Sequence, residues 1–95
     1  MDFIVKIFKA LASDHRVRIL SLLISSGELS IEAIAGNLKL PYKTAARNLK
    51  ILEHANLTVS RRRNGFTYYS LRRDQALEYN SMIFTLFEKR NKKKK

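Results

Sequence analysis

Residues 41–71 read "PYKTAARNLKILEHANLTVSRRRNGFTYYSL", and the period of the pattern changes half-way along this stretch. Up to Ala55 the apolar residues Ala45, Leu49 and Leu52 recur at i, i+4 and i+7, the spacing of one helical face. The other face carries Lys43, Arg47, Lys50 and His54, so it is almost wholly basic. Beyond Asn56, which reads as a helix stop, "LTVSRRR" and "FTYYSL" are strand-like runs on either side of Asn64-Gly65. Asn-Gly predicts a two-residue hairpin, because both residues tolerate the positive φ of a type I′ turn. That turn pairs Arg63 with Phe66, Arg62 with Thr67 and Arg61 with Tyr68. Strand alternation then sets Arg61 and Arg63 on the Val59 face and Arg62 on the Ser60 face.

Upstream, apolar residues at 3, 4, 7, 8 and 11 form a helical stripe, and Ser13 caps a second helix, "DHRVRILSLLI", that "SSG" stops. Ser30 caps a short third helix in which Ile31, Ile34, Ala35 and Leu38 share a side. The fourth helix runs from about Pro41, a residue suited to a first helical turn, to Ala55. Downstream, a last helix is expected from Asp74, with Leu77, Met82, Ile83, Phe84, Leu86 and Phe87 forming a broad apolar surface. The fold class is therefore mainly α with a small β-hairpin: a winged helix-turn-helix of five helices and a two-stranded wing. Residues 1–88 form this domain, and the basic end 89–95 is expected to be disordered.

At 95 residues and 45% hydrophobic content, the chain makes one small domain that gains from a partner. It has no cysteine, which excludes disulfides and thiolate chemistry. The N-terminal segment has the wrong charge order for a signal peptide and no run is long enough to span a membrane, so the cytoplasm is the expected compartment. The net charge of +11 is unevenly spread. Residues 1–38 balance four basic side chains with four acidic, whereas 39–73 hold nine basic against Glu53 alone, and "KRNKKKK" adds six more. Such a block suggests a polyanionic partner.

A basic helix fits the major groove of B-DNA, where exposed side chains near its N-terminus reach base edges. The expected reading residues are Tyr42, Lys43, Ala46 and Arg47, with Thr44 and Lys50 on phosphate. Arg47 is the main candidate for base reading, since a guanidinium makes two hydrogen bonds to guanine. The wing contributes Arg61, Arg62, Arg63 and Asn64. Arg62 and Arg63, nearest the tip, are best placed for phosphate or a narrow minor groove, while the stem of Arg61 lies over Tyr68. No nucleophile–base pair, glycine-rich phosphate loop or metal cluster is present, so no enzyme is expected. A non-specific DNA-coating protein is the alternative, favoured by the lysine tail. A membrane-surface module is disfavoured by the acidic residues of the last helix.

Three segments, "ALASDHRVRILSLL", "LPYKTAARNLKILEHANL" and "RRRNGFTYYSL", together resemble the ArsR-type family of winged-helix repressors over about residues 8–73. The resemblance implies a homodimer on an inverted-repeat operator, joined through the first and last helices, here Phe3, Ile4, Ile7, Phe8, Leu77, Phe84 and Phe87. Many members sense metals through two cysteines at the start of the third helix, where this chain has Ser30 and Glu32. A second metal site in the last helix lacks its histidine, so no metal or other cofactor is expected. Pro41 stands where the family usually has a capping serine.

Overall fold

The computed structural model describes residues 2–74 and 78–93. Five helices are placed in chain order: α1 (Phe3–Leu11), α2 (Asp14–Ser26), α3 (Ile31–Leu38), α4 (Tyr42–His54) and α5 (Glu78–Lys93). Three strands join them: β1 (Leu29–Ser30), β2 (Thr58–Arg63) and β3 (Phe66–Leu71), in the antiparallel order β1-β3-β2. The two-stranded wing thus gains a short third strand. Leu29 and Ser30 pair with Tyr69 and Tyr68, a long-range contact that a two-residue strand gives no periodicity to announce.

The helix boundaries follow from their caps. Ser13 accepts a hydrogen bond from the Arg16 amide at 3.3 Å and Ser30 one from Ala33 at 3.0 Å, each satisfying a free first-turn donor. Lys39 ends α3 in left-handed geometry, and the Leu40 amide turns back onto the Ala35 carbonyl at 2.9 Å. Pro41 is the N-cap of α4, one place before the first helical residue, and makes no side-chain cap. At the other end Asn56 takes φ 61° and ends the helix.

The core gathers Ile19, Leu20 and Leu23 of α2, Ile34 of α3, Leu49 and Leu52 of α4, Leu57 and Tyr69, with Phe84 and Phe87 of α5. The last two correct an expectation. Phe84 and Phe87 are 1% and 8% exposed and close the monomer's own core, as does Ile7 at 6%, so none of the three is free for a partner. The outward large apolar residues described on α5 are Met82 and Leu86, 74% and 68% exposed. Apolar residues on both sides of this helix hide the choice of inner face until α2 is packed against it. Leu77 lies outside the described residues.

Asp74, from which the last helix was expected, pairs with Arg72 at 3.5 Å, and the residues that follow it, 75–77, lie outside the described residues. One further difference concerns α5. At the far end α5 continues to Lys93, so residues 89–93 are helical where disorder was expected. The reason is an anchor on α2: Ser21 accepts from Arg90 and donates to Asn91 Oδ1 at 3.0 Å.

Candidate nucleic-acid interface

Helix α4 divides its side chains as the period requires. Ala45, Asn48, Leu49 and Leu52 are buried, while Tyr42, Lys43, Arg47, Lys50 and His54 are exposed. Thr44 is half-buried, and so is Ala46, which rests against the core and has less surface to offer a base than expected. Lys50 approaches Glu53 at 3.8 Å, a contact with little holding power on a residue this exposed. The charged groups of Lys43 and Arg47 have no partner among the described residues.

The wing has the register that Asn64-Gly65 predicts, with φ 50° and 83° at its tip. Arg62 lies on the face that also holds Ser60 and Tyr69, and this face packs on α4. Glu53 of α4 binds it there, accepting from Ser60 at 2.9 Å and from the Tyr69 hydroxyl at 3.1 Å. Burial first, and then the hydrogen bond to Glu53, pushes the Tyr69 hydroxyl up to about 12, so it remains a donor. One carboxylate thus sets the wing against the basic helix.

The roles of two wing arginines are exchanged relative to expectation. Arg63, not Arg61, lies over Tyr68, with its guanidinium carbon 4.3 Å from the ring centroid. It also pairs with Glu28 at 2.7 Å. The reach is diagonal across the hairpin, and β1 brings Glu28 alongside, 35 positions away in sequence. The charged end of Arg61 has no partner among the described residues, Arg62 only donates to Thr67 at 3.2 Å, and Asn64 is exposed at the tip. Arg16, Asn48, Glu53 and Glu28 escaped the sequence reading. Only the buried place of an asparagine on the apolar face of α4 could have marked one of them.

No family model matches the chain. It is 34% identical over 68 residues to the cadmium resistance transcriptional regulatory protein CadC homolog of Staphylococcus aureus, covering 72% of this chain but only 56% of that protein. An uncharacterized HTH-type transcriptional regulator of Methanocaldococcus jannaschii is 30% identical over 78 residues, covering 82% of this chain and 88% of that one. A solved homodimeric winged helix-turn-helix DNA-binding domain from Mycobacterium bovis, a possible ArsR-family regulator, matches with TM-score 0.76 and 29% identity, covering 94% of this chain and 82% of that one. The chain belongs to the ArsR-type family of winged helix-turn-helix transcriptional regulators. These relatives are regulators and not enzymes. Within this ArsR-type chain, Ser30, which the resemblance sets against a family thiolate, serves as the cap of α3. No metal-ligating cluster occurs among the described residues, and no described helix is long and apolar enough to cross a membrane.

Proposed function

We propose that this chain is a homodimeric, sequence-specific repressor of an inverted-repeat operator, with α4 in the major groove and the wing on flanking minor groove or backbone. The observation that carries this reading is the outward face of α4, where Lys43 and Arg47 are exposed, together with the exposed Arg61 of the wing; the charged groups of all three have no partner among the described residues. Arg47 reads bases, Lys50 and Thr44 hold phosphate, and Tyr42 and Lys43 contact the groove edge. On the wing, Arg61, Arg62 and Asn64 meet DNA, while Arg63 braces the hairpin on Glu28.

Dimerisation is supported by the Mycobacterium bovis relative and by an exposed apolar face. Phe3, Ile4 and Phe8 of α1 are 57%, 49% and 66% exposed, and the Phe3 ring lies 5.5 Å from that of Tyr79, which leads on to Met82 and Leu86. A two-fold dimer presents two copies of α4, which calls for an inverted repeat with half-sites about one helical turn apart.

The test is affinity for a duplex selected from a random pool against its scrambled version, at about 150 mM salt. A preference of about a thousandfold or more is expected. Equal affinity sinks the proposal in favour of a non-specific coating protein, the reading that the +11 charge and the lysine end favour.

A further inference from the structure

Arg16 joins the two helices that the proposed function separates, the dimer helix and the reading helix. The last carbonyls of α1 have no partner within the helix, although that of Lys9 also accepts from the Ala12 amide just beyond it at 3.3 Å. From the first turn of α2, Arg16 supplies two: its Nε donates to the Ala10 carbonyl at 2.6 Å and one terminal nitrogen to the Lys9 carbonyl at 3.1 Å. The other terminal nitrogen donates to Asn48 Oδ1 in the middle of α4 at 2.8 Å. Asn48 is 6% exposed, and its Nδ2 donates to the Thr44 carbonyl at 2.8 Å. With its amide nitrogen engaged by a carbonyl, only the oxygen can face a guanidinium, so the orientation of Asn48 is determined.

Packing does less to hold α1 to α4. A cleft of about 260 Å³ lies between them, lined by Lys6, Lys9, Ala10, Arg16, Ile51 and His54. The planar guanidinium spans the side of this cleft and makes three bonds in fixed directions. A lysine ammonium would keep the charge but not that geometry.

We propose that Arg16, acting through Asn48, is a positioning residue that sets α4 relative to the dimer helix α1. It thereby fixes the spacing of the two reading helices in the dimer. This inference rests on the operator reading above. It separates two quantities: how well one α4 fits one half-site, and how well two fit a pair of half-sites at a given separation.

The experiment uses the full chain as wild type, Arg16→Lys, Asn48→Ala and the double variant, each checked for folding by circular dichroism and for dimerisation by sedimentation. Each is titrated with three duplexes of equal length: the selected operator, the operator with one half-site scrambled, and the operator with one base pair added between half-sites. Each single variant is expected to lose about tenfold on the intact operator and less than twofold on the half-scrambled duplex. The variants should also discriminate less than wild type against the lengthened spacer, and the double variant should be no worse than either single one. Equal losses on the intact and half-scrambled duplexes overturn the inference, since Arg16 would then act within one subunit. Wild-type binding by Arg16→Lys also overturns it, because charge alone would suffice. If Asn48→Ala fails to fold, Arg16→Lys with its three duplexes still decides. A wild-type protein that prefers neither operator nor scrambled DNA sinks the operator reading itself, which the other outcomes leave standing.

Discussion

At Tyr69 a buried hydroxyl helps Ser60 join the wing to the basic helix, and its chemistry has a definite pH signature. The side chain is 1% exposed and its hydroxyl donates to Glu53, so the neutral form is favoured in the folded protein. Its ionisation is pushed from 10.0 to about 12. An unfolded chain therefore loses this proton first, and the stabilisation present below pH 10 is lost as pH rises towards 12. Urea titrations should show stability falling by up to about 1.4 kcal/mol per pH unit in this window, with Tyr69→Phe flattening that part of the slope. Identical slopes would show that the Tyr69 hydroxyl is not held buried against Glu53 in solution. On the same helix, Arg47 and Lys50 differ in what they can read. Arg47→Ala should cost about 1 to 3 kcal/mol at one base position and relax specificity there. Lys50→Ala should weaken all sequences alike and lower the salt slope by about one. Binding titrations against single-base variants, repeated over a salt series, distinguish the two.

Among the elements, α3 and the wing tip each contain a glycine, with opposite consequences. A Cβ at Gly36 of α3 would meet nothing within 4 Å, so Gly36→Ala should gain about 0.5 to 1 kcal/mol through helix propensity. Gly65 also has open space, but its φ is +83°, and Gly65→Ala should lose about 1 kcal/mol or more through the turn itself. Chemical denaturation of both variants checks the contrast, and two changes of the same sign would refute it. The same local rules explain what could be read from the sequence. Ser13, Ser30 and Asn64-Gly65 act within a few residues, so the caps, the helix order and the register of Arg61 with Tyr68 were legible. Partners far away in sequence were not. Glu28 reaches Arg63 across 35 positions and Asn48 reaches Arg16 across 32, so the wing brace and the link between helices carry no periodic signal. Helix α5 failed for another reason. With Phe84 and Leu86 both apolar, only packing decides that the first points inward and the second outward.

For the whole molecule, the inner and outer faces of α5 make dimerisation separable from folding. Phe84 belongs to the monomer core, so Phe84→Ala should cost about 3 to 5 kcal/mol and lower stability whatever the protein concentration. Met82 and Leu86 are 74% and 68% exposed, so a charge at either meets only water in a monomer. In the proposed dimer, Met82→Glu with Leu86→Glu would bring two pairs of like charges into an apolar contact with Phe3, Ile4 and Phe8. The double variant should stay folded, sediment as a monomer and have a melting temperature independent of concentration, whereas that of wild type rises with concentration. Its affinity for one half-site should remain near wild type. On the whole operator it should fall about a hundredfold or more, because the second half-site no longer gains from the first. A double variant that still sediments as a dimer would place the interface elsewhere. In that case the link from Arg16 to α1 would anchor the helix within one subunit and leave the spacing of the two reading helices unset.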